Sequence, residues 1–276
     1  MLVDLKEILK IAEENKSAIG SFNTPNYTSL KAVIDAAEEL EQPVIITHAQ
    51  LHEEMGLCKM EEIAPIMLFA AERAKIPVCL HLDHGTDLDY VKRSMKLGFT
   101  SVMYDGSELT EAENFKNTAL VVKWAHEAGI SVEGEIGTMG ARERISTDNG
   151  SIYTEPDEAR EFAEKTGIDA LACAFGAAHG VYAKEPKLDF DRLDKIRQAV
   201  SVPLVMHGGS GVSDDDFRHV IKNGIRKVNY YTYMAMAGGK AVRELSDMTY
   251  FHDIELAGLI AMKADVKHAI SVFSCK

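Results

Sequence analysis

Short apolar runs alternate along the chain with longer stretches in which apolar and charged residues recur at helical spacing. The runs SAIGSFN (17–23), PVIITHA (43–49), PVCLHLD (77–83), SVMYDG (101–106), SVEGEIG (131–137), ALACAFG (170–176), PLVMHGG (203–209) and RKVNYYT (226–232) predict eight strands. Between them, segments such as TSLKAVIDAAEELE, EEIAPIMLFAAERAK and DLDYVKRSMKLG predict helices. Several close on Gly or Lys-x-Gly, and Ser213 stands in N-cap position before DDDFRHVIKNG. Strands alternating with helices make right-handed βαβ units and a parallel sheet. Eight such units in one chain favour a closed barrel over an open doubly wound sheet. The expected fold is therefore α/β, a (β/α)8 TIM barrel forming a single domain over 1–276, with a C-terminal helical extension. One stretch interrupts the rhythm: TMGARERISTDNGSIYT (138–154) is rich in Gly, Ser, Asp and Asn. A loop of that length is expected to be a mobile active-site loop on the face where the strands end.

Composition narrows the partners. With 43 acidic against 30 basic residues, the net charge of −13 argues against a broad nucleic-acid or anionic-membrane surface, while a small phosphorylated substrate stays open. The N-terminal MLVDLKEILKIAEENK is amphipathic without a signal-peptide core, and no run of about 18 apolar residues occurs. Four cysteines (Cys58, Cys79, Cys173, Cys275) without paired spacing suit a reduced, cytoplasmic protein.

The polar residues at the strand ends carry the candidate chemistry. Asp83 and His84 close the strand at 77–83, His179 follows the one at 170–176, and His207 ends the one at 203–209. In a parallel barrel these ends meet on one rim, where three imidazoles with an open fourth position make a catalytic Zn2+ site. Any one of these histidines alone is as well explained by a core hydrogen bond; three at converging positions are harder to explain so. Asp83, beside a ligand, is placed to move the proton of a substrate hydroxyl. Glu133 and Glu135 share one face of their strand, and inside a barrel each carboxylate needs a cation or a hydrogen-bond partner. Glu133 reads equally well as half of a buried ion pair, whereas Glu135, nearer the rim, reads as part of the site. His81 lies deeper and reads as structural or as a support for a ligand. His48 and His52 lie within reach of the rim, with polar groups at a helix start as the simpler reading. HGGSG (207–211) and VNYYT (228–232) each lead into a helix. Loops after the last two strands, with amides at helix N-termini, form a common phosphate site of such barrels.

Taken together, HLDHG (81–85), VEGEIG (132–137), AAHG (177–180), PLVMHGGSG (203–211) and KVN..T (227–232) resemble the class II fructose-bisphosphate and tagatose-bisphosphate aldolases in order and spacing. The similarity runs from SFN (21–23) to the C-terminal helix. It implies a zinc enzyme that reversibly cleaves a ketose 1-phosphate or 1,6-bisphosphate between C3 and C4, giving dihydroxyacetone phosphate and an aldehyde. It also implies His84, His179 and His207 as zinc ligands, Glu135 as an auxiliary metal position and Asp83 as the acid/base at the C4 hydroxyl. Gly180, Gly208, Ser210, Asn229 and Thr232 match positions that hold the ketone-end phosphate, with Lys184 as a further match. Asn23 matches a substrate-contacting asparagine, and Glu143 a loop glutamate that carries a proton. A monovalent cation (Na+ or K+) near the phosphate and a homodimer or homotetramer are implied as well.

The chain departs from that pattern at the other end of the substrate. Two residues after Asn229, where fructose-specific relatives usually carry Asp and tagatose-specific ones a small residue, stands Tyr231. Six after it, where Arg or Lys is common, stands Ala235, and Ala49 replaces a frequent Ser or Thr. The loop reads ARER, with Arg142 and Arg144 where relatives are often acidic. One reading leaves those arginines solvated; the other has them meet a different distal anion, such as a sulfonate or carboxylate. Two further classes compete. A non-catalytic phosphosugar-binding barrel has no need of Asp83 beside an open metal, and a zinc hydrolase has little use for the phosphate loops. A Schiff-base aldolase needs a lysine at mid-barrel, and none is expected there.

Overall fold

The computed structural model describes residues 1–137, 153–177, 186–246 and 250–275. Among them, β1 (Leu2–Val3), β2 (Ile19–Asn23), β3 (Val44–Ala49), β4 (Val78–Gly85) and β5 (Ser101–Tyr104) lie in the first half of the chain. β6 (Ser131–Ile136), β7 (Ala170–Cys173), β8 (Leu204–Met206) and β9 (Ile225–Tyr230) follow. Every strand pairing is parallel, and β4-β3-β2-β9-β8-β7-β6-β5 returns to β4, so the sheet closes into the expected (β/α)8 barrel. A strand overlaps each of the eight predicted runs. β1 was not anticipated; it adds to the start of β4 as a ninth strand, Leu2 opposite Val78.

The helices between strands are α1 (Leu5–Asn15), α2 (Tyr27–Glu39), α3 (Gln50–Glu54), α4 (Met60–Arg73), α5 (Leu88–Lys96) and α6 (Glu111–Glu127). After β6 come α7 (Pro156–Thr166), α8 (Phe190–Ala199), α9 (Asp214–Lys222), α10 (Thr232–Arg243) and α11 (Phe251–Phe273). Their ends follow local chemistry. Asp4 and Glu7 form a reciprocal cap at the start of α1, and Ser213 accepts the Asp216 amide at the start of α9, as its position predicted. No helix among the described residues is long and apolar enough to cross a membrane.

Alternation along the strands divides the barrel into two environments. Outward side chains such as Ile46, Leu80, Leu82, Val132, Leu171 and Val228 join the large core beneath the helices. Inward ones at the N-terminal end (Ile19, Ile45, Cys79, Ala170, Ala172 and Val205) meet Leu5, Ile8, Leu9 and Ala12 of α1. Those four α1 positions fall on one helical face, so α1 stoppers the lower end of the barrel. Further along the same strands the inward positions turn polar: Ser21, Thr47, His81, Glu133 and Lys227, then Asn23, Asp83, Glu135, His207 and Asn229, all buried. Such a concentration of buried polar groups is tolerated only where the groups satisfy one another or a ligand.

Candidate active site

The site begins at an irregularity in β4. Regular alternation would send Asp83 and His84 to opposite faces, but the β4–β5 register shifts between Leu82 and Gly85, and His84 takes a left-handed φ of 47°. This conformation is unfavourable for a residue with a Cβ, and here it lets two adjacent side chains serve one site. His84 Nδ1 donates to Asp105 Oδ2 at 2.7 Å, and His207 Nε2 donates to Glu133 Oε1 at 2.8 Å. The other two nitrogens, His84 Nε2 and His207 Nδ1, face each other at 2.9 Å, with Asp83 Oδ1 4.0 Å from the former.

This arrangement suits a cation. With the outer nitrogen of each ring spent on a carboxylate, both inner nitrogens present lone pairs, and a proton or a metal must stand between them. Burial opposes a charge on His84, yet Asp83, Asp105 and Glu135 together raise its pKa to about 10. In the metal-free protein a proton thus occupies the place a cation would take. Glu135 supplies a second sign: its Oε2 is buried without a hydrogen-bond partner among the described residues and lies 3.6 Å from His207 Nδ1. Burial, together with the charge of Asp105, pushes the Glu135 carboxyl well above its ordinary range. Asp83, His84 and His207 form one group with convergent ligand atoms, and His84, Asp105 and Glu135 form another. Such a mix of imidazole and carboxylate fits a divalent transition ion.

Asp83 is held from both sides. Asn23 Nδ2 donates to its Oδ2 and Asn229 Nδ2 to its Oδ1, each at 2.9 Å. Burial works against its charge, but His84, Lys227 and His207 outweigh burial and keep the carboxyl far below its usual range. Lys227 is fully buried on the inner face of β9, which corrects the expectation that no lysine reaches mid-barrel. Its Nζ donates to Asn229 Oδ1 at 2.7 Å and pairs with Glu133 Oε2 at 2.9 Å. The one side chain therefore orients the amide that serves Asp83 and neutralises the carboxylate that serves His207. Glu133 is accordingly a buried ion-pair partner as well as the support of a candidate ligand. His81, also fully buried, bonds Ser101 through Nδ1 at 2.8 Å and lies 3.6 Å from Glu133, below the rim.

The remaining predicted residues divide into two groups. Gly208 has a φ of 68°, open to glycine and strained for other residues, and Ser210 Oγ receives the Tyr231 and Tyr233 amides at 3.4 and 3.5 Å. Ser210 thereby ties the loop after β8 to the first turn of α10, which Thr232 opens. A Cβ at Gly209 would stand 2.9 Å from the Asn229 carbonyl oxygen, so the two loops approach as closely as glycine allows. His179, Gly180 and Lys184, like Glu143, Arg142 and Arg144 of the 138–154 loop, lie outside the described residues.

Comparison with known proteins bears on this geometry. The sequence profile described as "Fructose-bisphosphate aldolase class-II" matches residues 3–276. The chain belongs to that family. It is 39% identical over 246 residues to a fructose-bisphosphate aldolase of Staphylococcus aureus, covering 88% of this chain and 86% of that one. It is 40% identical over 254 residues to the Escherichia coli protein YdjI, covering 91% and 90%. The crystal structure of the YdjI aldolase superposes with a TM-score of 0.89 at 38% identity, over 99% of this chain and 97% of that one. A putative fructose-1,6-bisphosphate aldolase from Coccidioides immitis also gives 0.89, at 29% identity over 98% and 95%. The chain is accordingly a lyase of the aldolase type, from a family that is generally metal-dependent and works on sugar phosphates.

Two residues of the assembled site were absent from the sequence reading. Asp105 carried a signal that passed unused, since it closes the strand at 101–106 as Asp83 closes its own. Lys227 lay within the KVN motif, but an ion pair spanning β9 and β6 leaves no local mark in the sequence.

Proposed function

We propose that this chain is a zinc-dependent aldolase that reversibly cleaves a ketose 1-phosphate of the fructose or tagatose series to dihydroxyacetone phosphate and an aldehyde. The observation that carries this reading is the pair of inner imidazole nitrogens, each ring backed by a carboxylate, beside an Asp83 clamped by two amides. His84 and His207 would hold the metal with His179, and Glu135 with Asp105 would offer carboxylate positions next to it. When bound, a divalent ion supplies a Lewis acid that polarises the ketone and bears the charge developing on its oxygen.

The chain's own residues do the rest. Asp83 takes the proton of the C4 hydroxyl as the C3–C4 bond breaks, the bonding electron pair stays with C3, and the C4 fragment leaves as the aldehyde. C3 then receives a proton, for which Glu143 is the proposed donor. Asn23 and Asn229 keep Asp83 aimed while Lys227 keeps Asn229 aimed. The amides and hydroxyls of Gly208, Ser210 and Thr232, with Gly180, Asn229 and Lys184, would hold the ketone-end phosphate, and a monovalent cation (Na+ or K+) would sit beside it. The exposed Met236, Phe251, Leu256 and Ile260 of α10 and α11 support a homodimer or homotetramer; the enzyme would work in the cytoplasm. Dihydroxyacetone phosphate release should vanish with EDTA and return with zinc, and borohydride with substrate should trap no adduct. Full release in the chelated enzyme, or an adduct on Lys227, would refute the proposal.

A further inference from the structure

We propose that His52 and Tyr231 form the subsite for the far end of the aldehyde half of the substrate, and that this end is an uncharged, hydroxyl-bearing carbon chain. The inference rests on the aldolase reading above and names the acceptor it leaves open.

The two residues come from different strand ends. Tyr231 directly follows β9, and its backbone amide belongs to the Ser210 turn; its ring lies 5.4 Å from that of His52 on α3. β2 lies between β3 and β9, so the rings meet over the end of β2, the strand whose Asn23 reaches Asp83. Ala49, opposite Asp83 in the β3–β4 register, leaves room on the same side. The pair therefore stands next to the group assigned to the C4 hydroxyl, on the side away from Asp105 and Glu135.

Its chemistry is that of a neutral hydrogen-bonding pocket. His52 is 5% exposed, and its Nδ1 is buried without a hydrogen-bond partner among the described residues. The neighbouring His48 shows what satisfaction looks like: its Nε2 donates to the Tyr90 hydroxyl at 2.8 Å, which donates to Glu53 at 2.9 Å. A buried polar atom left unpaired costs free energy until something meets it, and a substrate hydroxyl, both donor and acceptor, can meet either tautomer. Burial holds the His52 pKa below its ordinary value, so the ring brings no positive charge. Arg93, which approaches α3 at Glu53, is already committed to carboxylates: it pairs with Glu61 at 2.7 Å and lies 3.7 Å from Glu53. A phosphate dianion placed here would meet the negative charge of Asp83, the charged group that acts on His52. The site instead suits the terminal hydroxyls of an unphosphorylated aldose.

The test is condensation of dihydroxyacetone phosphate with glyceraldehyde, glyceraldehyde 3-phosphate and propanal, using the full-length zinc-loaded enzyme. The expected result is a kcat/KM for glyceraldehyde about tenfold or more above either competitor, since a site built to bond a hydroxyl rejects the analogue lacking it. His52→Ala and Tyr231→Phe should each erode the preference for glyceraldehyde over propanal by about tenfold, the worth of a hydrogen bond in a partly desolvated pocket. The KM for dihydroxyacetone phosphate should not move, and His52→Gln should restore part of the preference. Preference for glyceraldehyde 3-phosphate, or variants that slow glyceraldehyde and propanal equally, would overturn the subsite. Failure to condense any aldehyde would instead overturn the aldolase reading beneath it.

Discussion

His84 and His207 pack edge to face with ring centroids 4.6 Å apart, and His48 and His52 do the same at 6.1 Å, on the same rim of the same barrel. The pairs differ in what stands behind them. Asp105 and Glu133 back the first pair, with Asp83 and Glu135 alongside, and the negative charge outweighs burial to raise the His84 pKa to about 10. A tyrosine hydroxyl backs His48, and burial takes its pKa down to about 4. One side chain thus makes a cation site or a neutral hydrogen-bonding wall according to its second neighbour. In the proposed reading the first pair serves the metal and the ketone half of the substrate, and the second, through His52, meets the aldehyde half.

That contrast can be broken in graded steps. If Asp83, between the two halves, serves chemistry rather than binding, as proposed, Asp83→Asn should lower kcat by about a thousandfold, within the usual reach of general acid–base groups. Zinc content by elemental analysis should stay near one per chain if His84 and His207 remain in place. Lys227→Met removes the partner shared by Glu133 and Asn229. It should cost about 3–5 kcal/mol in urea unfolding, the usual penalty for leaving a buried charge unpaired. The double variant Lys227→Met/Glu133→Gln should recover much of that loss.

Acid should reach the second pair through His48. Its pKa is lowered on folding, so the unfolded chain binds the extra proton first. Stability contributed by the neutral ring is complete above about pH 6.5 and is lost as the pH falls toward about 4. The amount at stake is about 3 kcal/mol, and His48→Gln should flatten the wild-type slope in that window. Smallest are the about tenfold changes in acceptor choice expected at His52 and Tyr231.

The sequence made the barrel easy to read, because eight inward–outward alternations and helical faces such as Leu5, Ile8, Leu9 and Ala12 are local patterns. Asp83, His84 and His207 were also readable, since strand ends in a parallel barrel share one rim. What escaped was set by contacts between distant strands. Nothing near Lys227 announces that its ammonium lies between Glu133 on β6 and Asn229 on its own strand. The shift that turns His84 toward Asp83 depends on the β4–β5 register rather than on the HLDHG motif itself. His52 looked like a polar group at a helix start, and only the turn after β9, which brings Tyr231 against it, gives it a candidate role.

Solvent deuterium exchange into dihydroxyacetone phosphate, followed by proton NMR beside condensation with glyceraldehyde, separates the two halves most directly. His84→Ala should abolish both exchange and condensation in zinc-supplemented enzyme. His52→Ala should weaken condensation with glyceraldehyde while exchange, which involves no aldehyde, continues. Exchange that survives His84→Ala undiminished, or that disappears with His52→Ala, would contradict the division of labour between the two histidine pairs.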